Sequence, residues 1–302
     1  MTAFVHPTLD GLVRLQFDAR NFSLLPRQPV DSLLSGRHAS RLRGRGLMFE
    51  ELRDYRPGDD IRAMDWRATA RLRKAHVRVY SEERERPVLL VVDQRSSMFF
   101  GSARTTKATA AAELAALAAW RTLAAGDRVG AVIFGDQQLV EIRPHRSRQN
   151  VMRICHELVR LNGQLSADSV ANPAMFNEAL RRASNVAKHD YLVVLMTDYD
   201  GDDKTTHQLA TRLAAHNDVL AALVYDPLGA ELTSPHELQA TDGEQQLSMA
   251  TDARFAQRFQ DAFRARCDQL RQRLRSIRIP ILPICTHDPV IDQVLSALGS
   301  HR

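Results

Sequence analysis

The chain is poor in cysteine and in lysine. Cys155, Cys267 and Cys285 are odd in number, widely spaced and free of any C-x-x-C pattern, which speaks against a disulfide framework and against a zinc site. That usage fits a reducing compartment. No uninterrupted apolar run approaches the 18 or so residues that cross a bilayer. Met1 to Asp18 mixes Phe4, His6, Pro7, Asp10 and Arg14 without a continuous apolar stretch, so neither a secretory signal nor an anchor is expected there. The expected location is cytoplasmic. A phosphate-cradling G-x-x-x-x-G-K-[ST] is missing, and so is a G-x-S-x-G nucleophile elbow. The histidines, among them His145, His156, His189 and His287, are scattered, and none is nominated as a catalytic base.

Only Lys74, Lys107, Lys188 and Lys204 supply lysine, so the net charge of +5 rests on arginine. The planar guanidinium suits bidentate recognition of carboxylate or phosphate. A high-GC genome also writes its surface cations as arginine, so the basic balance alone does not indicate nucleic acid. With 302 residues, 44% hydrophobic and 25% charged, the chain can bury one large core or two modest ones.

From about Ser35 to Arg86 the sequence is dense in arginine and broken by Gly36, Gly44, Gly46, Pro57 and Gly58. The character then changes. Val88 to Asp93 is a continuous apolar run ending in an acid, as a buried parallel strand requires. Alanine- and leucine-rich Arg104 to Ala125 reads as a helix stopped by Gly126, and Arg128 to Phe134 as the next strand. Leu139 to Ile142 reads as a short antiparallel partner through the Gly135-Asp136 turn. Helices near 148–161, 175–187, 205–216 and 253–277 alternate with strands at 191–196, 219–224 and 281–285, and a last helix starts near Pro289. That alternation predicts an α/β fold: a doubly wound, mainly parallel sheet over residues 87–302 with one antiparallel edge strand. An inserted hairpin is expected near 236–249, and residues 1–86 form an arginine-rich β and loop extension.

In such a sheet, ligands bind beyond the carboxyl ends of the strands. Asp93 and Asp198 fall at such ends. Asp93-Gln94-Arg95-Ser96-Ser97 resembles the Asp-x-Ser-x-Ser metal-ion-dependent adhesion site of von Willebrand A domains, and Asp198 fits that site's later aspartate. Arg95 replaces the first serine, and Ala174 stands where the resemblance implies a threonine. Two readings stay open. Asp93, Ser97 and Asp198 could hold magnesium or manganese, or Arg95 could pair with Asp93 or Asp198 in place of the ion. No cofactor is the expectation. Asp93, Arg95, Ser96, Ser97, Asp198 and Asp200 form the candidate partner-binding face.

Gly46, Glu50, Arg53, Tyr55, Pro57, Gly58, Asp59, Asp60, Arg62, Asp65, Trp66 and Arg71 together resemble the hallmark segment of the domain of unknown function 58 family. There the segment leads into a von Willebrand A-like domain, as it does here. The resemblance implies a non-enzymatic interaction protein that partners a MoxR-type AAA+ ATPase and other von Willebrand A proteins. Two rivals remain. Nucleic-acid binding through Arg37–Arg78 requires a contiguous positive surface, and the acids Glu50, Glu51, Asp59, Asp60 and Asp65 favour internal pairing instead. A metal-dependent hydrolase built on Asp93 and Asp198 needs an open metal position and a nearby base. Asp60 is expected to cap a short helical turn and Trp66 to pack.

Overall fold

The computed structural model describes residues 5–19, 22, 47–57, 59–82, 86–166, 168–228, 237–241, 246–250 and 253–298. In chain order these carry α1 (Leu9–Arg14), β1 (Leu47–Asp54), α2 (Trp66–Leu72), β2 (His76–Glu82), β3 (Val88–Asp93), α3 (Lys107–Ala124), β4 (Val129–Phe134) and β5 (Leu139–His145). There follow α4 (Arg148–Asn162), α5 (Ala174–Val186), β6 (Leu192–Thr197), α6 (Lys204–Ala214), β7 (Asp218–Tyr225), β8 (Glu237–Thr241), β9 (Gln246–Ala250), α7 (Ala253–Ser276), β10 (Ile281–Cys285) and α8 (Val290–Leu298). The chain divides into two compact units, one of Met1–Ser32 with Arg86–Arg302, the other of Leu33–Glu85.

The larger unit is built on a six-stranded sheet in the order β10-β7-β6-β3-β4-β5. Every pairing is parallel except β4 with β5. This is the expected doubly wound sheet with one antiparallel edge. Because β3 is central, all six of its residues are buried, and its side chains alternate between two cores. Val88, Leu90 and Val92 enter a core with α3, α4, α1 and α8. Leu89 and Val91 enter another with α5, α6 and the Leu270–Leu274 stretch of α7. Helix α3 is central too, with thirteen of its eighteen residues buried. Its alanines permit that close approach, whereas a surface helix would carry one polar face. Antiparallel β8 and β9 form the hairpin expected near 236–249.

The expected amino-terminal segment 1–86 is split. Residues through Ser32 group with the sheet, because α1 buries Leu12 and the Trp120 indole donates to the Leu12 carbonyl at 3.0 Å. His6 meets the Asn162 side chain at 2.7 Å.

In the smaller unit β1 and β2 pair antiparallel, with an irregularity between Phe49 and Glu51. Asp60 caps a 3-10 turn over Ile61–Ala63 as expected, accepting from the Arg62 amide, and Asp65 caps α2 through the Arg67 and Ala68 amides. Trp66 does not pack: its side chain is 66% exposed. As the first residue of α2, it follows an N-cap that uses Asp65 to hold the helix and leaves the indole on the outer face. Gly46, Gly58, the arginines from Arg37 to Arg45 and the side chains of Glu50 and Glu51 lie outside what the structure describes.

Candidate functional site

The chain runs from β3 to β4 on one side and later returns through β6 on the other, so strand order reverses between β3 and β6. In open α/β sheets such a reversal is where ligands bind. Asp93 ends β3 with no exposed surface, and Thr197 ends β6 one residue before Asp198. Two loops therefore bring two carboxylates together at the carboxyl ends of the central strands.

Arg95 folds back onto Asp93. Its Nε lies 3.0 and 3.2 Å from the two carboxylate oxygens, and its Nη2 lies 2.7 Å from Oδ2. The Thr197 hydroxyl donates to the same Oδ2 at 2.6 Å, and the Arg95 amide donates to Oδ1 at 3.0 Å. The guanidinium sits over the Phe134 and Phe176 rings, 5.5 and 5.6 Å from their centroids, an orientation that favours a cation. Its remaining donors reach the Asp200 carbonyl at 3.1 Å and the Pro173 carbonyl at 3.5 Å. With only 2% of its surface exposed, Arg95 thus joins three loops in one buried knot.

Asp198 has a different cation. Lys107 Nζ donates to its Oδ2 at 2.6 Å, while Oδ1 accepts from the Asp200 amide at 2.9 Å and the Ser97 hydroxyl at 3.5 Å. Arg95 stands 4.0 Å off. The loop that follows turns sharply: Tyr199 has φ 57 and Gly201 φ 74. A Cβ on Gly201 would fall 2.5 Å from the Pro173 Cβ, so glycine is required there both for its φ and for the close approach. The Asp200 side chain points away from the knot to Arg266, at 3.2 Å.

Burial pushes the Asp93 carboxyl above its ordinary value, with Arg95 pulling against it. The same burial works against charge on Arg95, but Asp93 outweighs it and holds the guanidinium more firmly protonated. For Asp198, burial raises the carboxyl while Lys107, the Asp200 amide and Arg95 together bring it below the usual range.

A hard divalent cation needs about six oxygen ligands. Here the Asp93 oxygens are taken by Arg95 and Thr197, and those of Asp198 by Lys107, Ser97 and the Asp200 amide. Arg95 fills the place of the first motif serine, and Ala174, the first residue of α5, offers no hydroxyl. The residues present do not fit magnesium or manganese.

The structure brings Asp93, Arg95, Ser97 and Asp198 together and places Ser96 at the rim, its amide donating to Asp136 at 2.7 Å. Sequence reasoning missed two residues. Asp136 clamps the loops after β3 and α4 by accepting from the Ser96 and Asn172 amides, each at 2.7 Å. Lys107 carried a readable signal, since a cation in the first turn of a helix opposes the helix dipole and needs a carboxylate partner. The hallmark residues serve the other unit. Arg53 grips Asp59 through two bonds of 2.9 and 2.8 Å, Arg78 bonds Asp65 at 2.8 Å, and the Tyr55 amide bonds the Ala75 carbonyl. Arg62 and Arg71 are exposed.

Beside the knot lies a cavity of about 190 Å³ whose lining includes the charged Lys107, Asp198, Asp226 and Arg266 and the apolar Phe100, Leu223, Phe263 and Leu270. Strand order and the antiparallel edge are compatible with an α/β protein of the von Willebrand A/Rossmann-like class. More narrowly, the family described as protein of unknown function DUF58 matches residues 51–271, and the chain belongs to that family. Uncharacterised proteins of Mycobacterium bovis and of two Mycobacterium tuberculosis strains are each 28% identical over 307 residues, covering 99% of this chain and 95% of theirs. Among solved structures, a conserved hypothetical protein BatB from Bacteroides thetaiotaomicron is similar at 12% identity and TM-score 0.41, over 70% of this chain and 95% of that one. An aerotolerance-related membrane protein from Bacteroides fragilis is similar at 12% identity and TM-score 0.40, over 70% and 96%.

Proposed function

We propose that this protein is a non-enzymatic interaction module whose strand-end face docks a partner protein without a metal ion, and that it serves as an adaptor or cochaperone for a MoxR-type AAA+ ATPase. One observation carries the docking reading: both switch-point acids are neutralised by cations of the chain itself, Asp93 by Arg95 and Asp198 by Lys107. A hydrolase would need those carboxylates free to bind metal or to accept a proton. Here they are structural, and what faces outward is a cavity of mixed apolar and cationic character. The ATPase as partner rests on the family resemblance.

The nucleic-acid alternative loses ground because Arg53 and Arg78 are paired with Asp59 and Asp65. Affinity purification of the full chain from its native cells, with the ATPase held in ATP-like and ADP states, tests the proposal. Co-purification in one state and not the other is the expected result. Recovery of no MoxR-type ATPase in either state removes the adaptor reading.

A further inference from the structure

The cavity beside Asp198 has more hydrogen-bond donors than acceptors left to offer. Of its two acids, Asp226 has four donors on its four acceptor sites and Asp198 has three. Asp226 accepts from the Ser102 amide and hydroxyl at 2.8 and 2.6 Å, the Thr286 hydroxyl at 2.5 Å and the Leu228 amide at 3.0 Å. Asp198 accepts from Lys107, Ser97 and the Asp200 amide. The cations are not used up. An ammonium has three donors, and among the described residues Lys107 directs one, to Asp198. A guanidinium has five, and Arg266 uses Nη2 alone, on the Tyr199 carbonyl and Asp200. Both side chains line the same cavity, and so do Phe100 and Phe263. Phe100 is 43% exposed.

We infer that this cavity binds a carboxylate side chain of an acidic segment on the partner protein, with Lys107 and Arg266 donating to the carboxylate and a neighbouring apolar residue lying against Phe100 and Phe263. The inference deepens the docking reading above and rests on it. Charge complementarity selects an anion, because an entering acceptor meets several unfilled donors on Lys107 and Arg266, while an entering cation meets those two cations and a single open acceptor site on Asp198. Size selects a side chain: about 190 Å³ falls below the roughly 300–1,000 Å³ of sites that enclose a drug-sized ligand. Lys107 then stands between two carboxylates, one belonging to the chain and one to the partner.

The test is an amide-resolved NMR titration of the full chain with the capped tripeptide acetyl-Phe-Glu-Leu-amide. The neutral Phe-Gln-Leu counterpart and free glutarate are the controls. Saturable shifts at Lys107, Tyr225 and Cys267 are expected with the Glu peptide, with binding at least tenfold weaker for the Gln peptide and for glutarate. Arg266→Ala, on an exposed residue, should weaken the Glu peptide several-fold, and Lys107→Met should abolish its binding. Equal response to Glu and Gln peptides, no response to the Glu peptide, or wild-type binding by both variants overturns the inference. Glutarate binding as tightly as the peptide overturns the protein segment as occupant and points to a small acid. If the ATPase still co-purifies with Lys107→Met and Arg266→Ala, docking stands and the carboxylate inference alone fails.

Discussion

Two kinds of aspartate–arginine pair occur in this chain, one inside the sheet unit and one in the β1–β2 unit. Asp93–Arg95 is sealed, with side chains 0% and 2% exposed, whereas Arg53–Asp59 keeps a third of the arginine side chain in water. Their bonds are of similar length. Their surroundings differ, and that difference decides what each can do. Water screens the outer pair, so it contributes little and its partners can part at little cost. The inner pair has no water to fall back on, so losing one partner strands the other. A sealed pair therefore fixes geometry more than it adds stability, and here it fixes the loops after β3, before α5 and after β6.

The largest expected effect comes from Arg95→Met, which leaves Asp93 buried and unpaired and should lower the unfolding free energy by about 3–5 kcal/mol in denaturant titrations. A loss no greater than that of an exposed pair would erase the distinction. Adding Asp93→Leu to that variant should recover much of the loss, because removing both charges removes the stranded one. Lys107→Met should cost less, about 1–3 kcal/mol, since Asp198 keeps its amide and hydroxyl donors.

The pH dependence sharpens the same contrast. Asp198 and Asp226 are held below the ordinary carboxylate range. Their contribution is thus present above the unfolded value of about 3.9 and is lost as pH falls through the lower folded values. Asp93, raised by burial, runs the other way and is relieved by acid. Melting curves from neutral pH downward should hold nearly level and then fall below about pH 4, with the fall starting at higher pH in Lys107→Met. Calorimetric titration with magnesium should give no heat for the wild type, and heat should emerge only when Arg95→Ser, Ala174→Thr and Lys107→Ser are combined. The smallest effect is expected from Arg53→Ala, whose melting temperature should match the wild type within error.

The strands were legible because a strand buried on both faces must be apolar throughout, as Val88 to Val92 and Leu192 to Met196 are. The edge strand β5 was legible because Gly135-Asp136 marks a tight turn. Asp93, Arg95 and Asp198 could be picked out because strand ends in a parallel sheet are few and their residue types departed from a known pattern. Lys107 could not be paired with Asp198 by spacing, since 91 residues separate them and only the folded sheet brings them within reach. Trp66 was misread because a tryptophan is apolar by composition, while its exposure is set by which face of α2 the Asp65 cap turns outward. The backbone at Tyr199 gave no sign of its positive φ, since the glycine that marks the turn stands two residues later.

The packing of α1 has a consequence for the order of events at the ribosome. Residues 5–19 are made before the partners they bond, Trp120 and Asn162. At about 5–20 residues per second the roughly 140 residues between them take on the order of ten seconds to appear. During that interval Leu12 lacks the α3 and α4 residues it is buried with. The β1–β2 pair is synthesised before α3 and α4, so it can form while α1 still waits for them.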